Sequence, residues 1–206
     1  MKIKEALVVK REHLFRDKYF QGFLPVQEHD YMPIILREHI YHPRGNLLEN
    51  NELLQQIIPY VWILNPRDKK VFAYRRAANQ DYGEARLRNK WSCGLGGHIE
   101  RQDSGDPIQL AMMRELMEEV KIDVYPSPRI VGYLKDDNGD VERVHFGIVA
   151  IAETLSNVEK GDDEMAEGRF MSISEIENLF THPDNQIEAW TLLSWPFVKN
   201  YLLSLQ

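Results

Sequence analysis

The sequence predicts an α/β fold, on three observations. Two pairs of apolar runs are each joined by a turn signal: Ile57 to Leu64 and Val71 to Arg75 around NPRDKK, then Arg129 to Lys135 and Val141 to Ala152 around an Asn-Gly centre within Asp137 to Asp140. A helix-period segment stands between these hairpins, from about Pro107 to about Val120. After them a short strand at Arg169 to Met171 runs into a helix begun at Ser172 or Ser174.

In chain order, residues 1–50 form an N-terminal extension and residues 51–206 one domain that includes a C-terminal helical segment. The extension has an apolar start at Ile3 to Val9, an aromatic stretch with Phe15, Tyr19, Phe20 and Phe23, and a polar segment around His42 to Asn51. Its pattern selects no secondary structure, and its aromatic composition suits a substrate lid or a dimer contact. Trp91 to Cys93 reads as a short strand entering Gly94, Gly96 and Gly97, where glycine permits close backbone approach to a bound ion or phosphate. Asp106, Pro107 and Gln109 read as an N-cap, a first-turn proline and a capping partner three residues on. The stretch NVEKGDDEMAEG reads as a polar acidic loop. Ile187 to Leu205, with Trp190, Trp195, Phe197 and Tyr201 and interrupted by Pro196, packs into the core on the first reading and forms a homodimer contact on the second.

The central helix carries the chemistry. At about 100° per residue Glu115, Glu118 and Glu119 share one face, within an arc of roughly 100°. Leu110, Met113, Leu116, Met117 and Val120 gather on the other. The expectation is that the apolar face is buried and the carboxylates are presented on the opposite side. Like charges three and four residues apart repel, so a hard, oxygen-seeking ion such as Mg²⁺ or Mn²⁺ is their natural partner.

Composition narrows the class. The chain has 206 residues, enough apolar content at 43% for a sizeable core, and a net charge of −7, which argues against a protein that coats nucleic acid. The single cysteine, Cys93, excludes an internal disulfide and fits a reducing compartment. No apolar run approaches the roughly 20 residues of a membrane span, and ALVV is too short for a signal-peptide core, so the expected location is the cytoplasm. The partner suggested by the glycine turn and the acidic helix together is a small diphosphate molecule, not nucleic acid or membrane.

At these residues the chain resembles the Nudix family. The family box is Gly, five residues, Glu, seven residues, then Arg-Glu-hydrophobic-any-Glu-Glu-any-Gly-hydrophobic. RELMEEVKI, Arg114 to Ile122, matches its second half except that Lys121 stands for the glycine. With Gly97 as the opening glycine and Asp106 as the acid, HIERQDSG places eight residues where the box has five, and the acid is Asp instead of Glu. The resemblance, over about residues 55 to 180, implies an α/β/α sandwich around a mixed sheet. It also implies metal-dependent hydrolysis of a phosphoanhydride bond, in a nucleoside diphosphate derivative or related organic pyrophosphate. It makes Glu118 and Glu119, then Glu115, the metal ligands, with the carbonyl of Gly97. Arg114 orients a glutamate, and the general base comes from the helix or from a later loop, where Glu164 is favoured over Glu167, Asp162 and Asp163.

Substrate phosphates need cations besides the metal. Arg75 and Arg76 end a strand expected to point toward the pocket, and Arg86, Arg88 and Lys90 precede the glycine turn. Glu100 and His98 are candidates for facing substrate, although a solvated acid and a hydrogen-bonded structural histidine are the plainer readings, the latter also for His145. Cys93 reads as strand packing. Two other functions compete: an enzyme like isopentenyl-diphosphate isomerase, which shares the fold but whose Asn-Thr-Cys type motif is missing here, and a non-catalytic Nudix-like module that senses a nucleotide.

Overall fold

A computed structural model describes residues 4–78, 85–103, 105–161 and 163–205. Ile3 and Asp162 therefore lie outside the described residues. The strands are β1 (Glu5–Lys10), β2 (Gly22–Pro25), β3 (Ile40–Pro43), β4 (Leu54–Asn65), β5 (Lys70–Arg76), β6 (Trp91–Ser92), β7 (Gly94–Leu95), β8 (Val120–Ile122), β9 (Arg129–Lys135), β10 (His145–Glu153), β11 (Val158–Lys160) and β12 (Met165–Ser172). The helices are α1 (Arg11–Leu14), α2 (Met32–Glu38), α3 (Asn46–Glu49), α4 (Pro107–Glu119), α5 (Ile173–Thr181) and α6 (Ala189–Ser204). The fold is α/β with a large mixed sheet in the order β12-β5-β4-β10-β9-β2. On it β1 and β7 also pair with β4, β3 with β1 and β6 with β5, while β11 and β8 form a separate ladder.

β4 is buried from Gln55 to Leu64 without alternation, as expected of a strand covered on both faces. It changes partners along its length: Leu54 to Gln56 pair with β1, and Val61 and Trp62 with β7. Pro59, which has no N–H to give a ladder, falls between the two pairings. Gly96 crosses here so closely that a Cβ on it would stand 1.8 Å from the Pro59 carbonyl oxygen.

The chain forms two compact units, each described separately. Unit 1 comprises Met1–Tyr60, Gly96–Met112 and Ile130–Ala150. Its first fifty residues, which sequence patterning leaves unassigned, supply β1, β2 and β3. These strands have four to six residues each, too short for a period to declare itself. β1 lies between β3 and β4, and β2 pairs with β9. Phe15 and Phe20 join Tyr31, Tyr133 and Phe146 in an edge-to-face aromatic cluster, with Tyr31 centred 5.1 Å from each of the last two. Such pairs each add about 0.5–1.5 kcal/mol beyond area burial, which gives the aromatic stretch a core role. Tyr19 stays half-exposed.

Unit 2 comprises Val61–Leu95, Met113–Arg129 and Ile151–Gln206. The hairpin at NPRDKK forms with Leu64 opposite Val71, and Lys69 turns it at φ 51°. The acidic loop is shorter than expected, because β11 and the start of β12 lie within NVEKGDDEMAEG. Val158 and Met165 are buried there, and each pairing anchors a stretch that composition alone reads as loop. α5 starts at a capping box in which Ser172 and Glu175 bond reciprocally. α6 runs through Pro196, whose ring is exposed, and buries Trp190, Trp195, Val198 and Leu202, with Trp195 stacked on Trp62 at 6.2 Å. Among the described residues no helix is long and apolar enough to cross a membrane.

Candidate functional site

α4 begins as its sequence predicts. The Asp106 carboxylate accepts from the Gln109 N–H at 3.1 Å and the Asp106 carbonyl from the Leu110 N–H at 3.0 Å, with Pro107 in the first turn. Its orientation is rotated from the expectation, with Leu116 and Val120 buried and Glu118 exposed as expected but Glu115 turned inward. The buried stripe is Ile108, Ala111, Met112, Glu115 and Leu116, whereas Leu110 and Met117 are 44% and 55% exposed. Glu115 itself is only 8% exposed. Ile108, Ala111 and Met112 fall on the same side as Glu115 at 100° per residue, so both sides of the helix carry apolar groups and the apolar count does not choose between them.

A carboxylate so buried requires a positive partner. Arg114 supplies one: its Nη1 donates to Glu115 at 2.7 Å and to Glu118 at 3.2 Å, with the Arg114 side chain 18% exposed. Glu118 is open to solvent and Glu119 half-buried. The donor set is all oxygen and anionic, which fits a hard divalent ion such as Mg²⁺ or Mn²⁺.

The end of α4 explains why Lys121 is tolerated. The chain passes straight into β8, where Lys121 pairs with Glu159 of β11, and Lys121 is not among the residues with positive φ. The helix is closed from a distance instead: the Gly161 N–H donates to the Glu119 carbonyl at 2.8 Å. A Cβ at Gly161 would come within 2.8 Å of Glu118 O, Glu119 C and Val120 N. Sequence reasoning passed over Gly161; its only signal was a lone glycine in an acidic stretch. Glu164, three residues on, is exposed, and its carbonyl accepts from the Ala77 N–H at 2.7 Å.

The other predicted residues have these places. Arg75 donates to Glu167 at 2.8 Å and to Asn89 at 2.7 Å. Arg76 pairs with Glu188 in an ion pair whose side chains are 10% and 6% exposed, and its guanidinium lies 5.3 Å from the Tyr74 ring centre. The structure thus gives both arginines protein carboxylates, and Glu188, just before α6, is a partner that local sequence does not announce. Arg86, Arg88 and Lys90 lie exposed or half-buried before β6. Cys93 is buried and its thiol pushed far above the ordinary range by desolvation, reinforced by the charge of Glu188, so packing is its role.

In unit 1, Gly97 is half-buried and Glu100 closes a turn with Asp103: the Glu100 N–H donates to the Asp103 carboxylate at 2.8 Å, and the Asp103 N–H to the Glu100 carbonyl at 3.0 Å. Gln102 holds the Glu100 carboxylate at 3.0 Å. His98 bonds through Nε2 to Gln56 Oε1 at 2.7 Å, and its ring lies 5.7 Å from that of His145. His145 Nδ1 contacts the Val141 carbonyl at 2.5 Å. Both histidines are hydrogen-bonded, but sequence gave no sign that they meet.

The NUDIX domain family matches residues 55–193. Over 151 residues the chain is 34% identical to Protein YmaB of Bacillus subtilis (strain 168), which covers 69% of this chain and 70% of that protein. The crystal structure of Tm1382, a protein placed provisionally among the Nudix hydrolases, matches with a TM-score of 0.76 at 25% identity, over 96% of this chain and 99% of that one. A bifunctional NMN adenylyltransferase/ADP ribose pyrophosphatase from Francisella tularensis, crystallised with AMP and a Mn ion, shares the fold at 15% identity and a TM-score of 0.52, over 72% of this chain and 42% of that one.

Proposed function

The chain belongs to the Nudix family, and from that premise we propose that it is a pyrophosphohydrolase that cleaves, with Mg²⁺ or Mn²⁺, a phosphoanhydride bond in a nucleoside diphosphate derivative or related organic pyrophosphate. The observation that carries the reading is Glu115, buried on α4 and held together with Glu118 by the single guanidinium of Arg114. Glu115, Glu118 and Glu119 are the proposed ligands. A bound divalent ion would offset phosphate charge and lower the pKa of attacking water.

The chain's own residues then have separate tasks. Arg114 positions the carboxylates and keeps two like charges together without a large repulsive cost. Gly161 fixes the helix end that carries Glu118 and Glu119. Glu164 is the proposed general base, on a segment whose start is tied to that helix end. Arg75 and Arg76 are not offered as phosphate ligands, since Glu167 and Glu188 already take their charge. The buried thiol of Cys93 gives the isomerase-like reading no support.

The test is product identification by mass after incubation with Mg²⁺ or Mn²⁺ and a panel of dinucleotides, nucleoside diphosphate derivatives and nucleoside triphosphates. Metal-dependent scission at phosphorus, lost in Glu119→Gln, is expected. Ligand binding without turnover across the panel would instead favour a sensing module.

A further inference from the structure

We propose that Glu49, His98 and His145 form a site for a borderline divalent transition ion of the Zn²⁺ class. The site is made of residues other than the α4 carboxylates, lies within unit 1, and does not rest on the hydrolase reading. One ligating atom from each of the three side chains lies within 4.8 Å of the other two. Glu49 ends α3, His98 follows the glycine turn and His145 opens β10, so three separate segments converge.

For neutral imidazoles, the hydrogen bonds fix which ring nitrogen carries the lone pair. The Val141 carbonyl can only accept, so the His145 Nδ1 beside it holds the ring proton and the lone pair lies on Nε2. Gln56 decides His98 by the same logic. Its Nε2 donates to Glu49 Oε1 at 3.4 Å, and a carboxylate can only accept, so the amide nitrogen faces Glu49 and the amide oxygen faces His98. His98 Nε2 therefore donates, and its lone pair lies on Nδ1. In its neutral form each imidazole is held by a partner behind it in the tautomer that can ligate a metal, as ligating histidines usually are. Gln56 is fully buried and orients two of the three ligands at once.

The donor chemistry selects the ion. Two imidazoles and one carboxylate suit Zn²⁺ and its neighbours, whereas Mg²⁺ prefers an all-oxygen set. Three protein ligands leave a fourth position for water or an exogenous group. Tetrahedral ligands at about 2.0–2.1 Å from zinc stand roughly 3.3 Å apart. Atoms separated by up to 4.8 Å would have to close by at most about 1.5 Å to reach that spacing.

Co²⁺ is the spectroscopic probe. The full-length protein, stripped of metal and held in excess Mg²⁺ to fill the helix carboxylates, is titrated with Co²⁺ and followed by visible absorption and calorimetry. A single equivalent should bind with nitrogen-ligand d–d bands, be displaced by Zn²⁺, and raise the melting temperature. His98→Asn and Glu49→Gln should each weaken binding at least tenfold; both residues are only half-buried, so their variants disturb packing less than a change at buried His145. Glu118→Gln should leave the titration unchanged. Absence of uptake in excess Mg²⁺, uptake unaffected by His98→Asn and Glu49→Gln, or uptake lost in Glu118→Gln would each overturn the site, and none of these outcomes bears on whether the protein hydrolyses a pyrophosphate.

Discussion

The α4 carboxylates and the Glu49–His98–His145 cluster, both proposed as metal ligands, are supported in opposite ways. On α4 the proposed ligands are neighbours in sequence and carry like charge, and one cation, Arg114, bonds two of them, Glu115 and Glu118. In unit 1 the proposed ligands are about fifty residues apart along the chain, two of them are imidazoles, and a neutral amide, Gln56, bonds Glu49 and His98. The contrast teaches that the type of supporting residue follows from the charge of the ligands. Anionic donors need a counter-charge before the metal arrives, whereas imidazoles need only a tautomer.

The largest effect that can break this contrast is expected from Glu118→Gln and Glu119→Gln. Each should lower metal-dependent hydrolysis by at least about 100-fold, since losing a direct ligand should exceed the 10–100-fold typical of outer partners. Circular dichroism and melting should be nearly unchanged. Near-normal turnover in either variant would remove the helix from the metal site. The next effect sharpens the contrast: Arg114→Ala should reduce turnover about 10–100-fold and weaken Mn²⁺ binding, with Arg114→Lys recovering part of the loss. If Arg114→Ala bound Mn²⁺ more tightly, the arginine would be a competitor of the ion and not its organiser. In unit 1 the parallel change, Gln56→Met, should weaken Co²⁺ by a similar factor without introducing or removing a charge.

The two regions also differ in how much of them sequence discloses. Arg114, Glu115, Glu118 and Glu119 fall within one and a half helical turns, so a spacing rule finds them and the Asp106 cap places the helix. The NPRDKK hairpin is equally local, whereas after the Asn-Gly turn a single helical turn at Glu142–Val144 delays the start of the expected strand from Val141 to His145. The rotation of α4 was not legible, because Ile108, Ala111 and Met112 make its acidic side nearly as apolar as its other side. Nor were the companions of His98, Arg76 and Glu119, since Gln56, Glu188 and Gly161 meet them only after the chain folds. The short strands of the extension gain their identity from β4 and β9, which no local pattern in residues 1–50 records.

A smaller effect tests whether the helix end needs its distant support. Gly161→Ala would place a methyl group 2.8 Å from backbone atoms of Glu118, Glu119 and Val120, none of which can rotate away as a side chain does. A loss of about 1–3 kcal/mol is expected from such overpacking, read by urea titration, together with a fall in turnover. Loss of stability with turnover fully retained would mean that the position of Glu119 does not depend on Gly161.

The smallest effect comes from α5, a helix that belongs to neither donor set and shows what a capping carboxylate does without a metal. Glu175 is held well below the usual carboxylate range, at about 2 instead of 4.5, first by the Ser172 backbone N–H and then by Arg169, which reaches it at 2.9 Å. A depressed folded-state pKa means that the charged form favours folding. Its contribution is complete above 4.5 and disappears as pH falls through about 2. Ser172→Ala removes the hydroxyl that accepts from the Glu175 N–H and donates to the Glu175 carboxylate at 2.9 Å, and should cost about 1 kcal/mol at neutral pH, with the carboxylate's share of that cost fading as pH falls toward 2. Glu175→Gln should be less stable than wild type at neutral pH, and the gap should close as pH drops from 4.5 toward 2. A gap that stayed constant over that range would show that the capping box acts through shape and hydrogen bonding alone. Only the carboxylates of α4, with Arg114 between them, would then have charge as the reason for their arrangement.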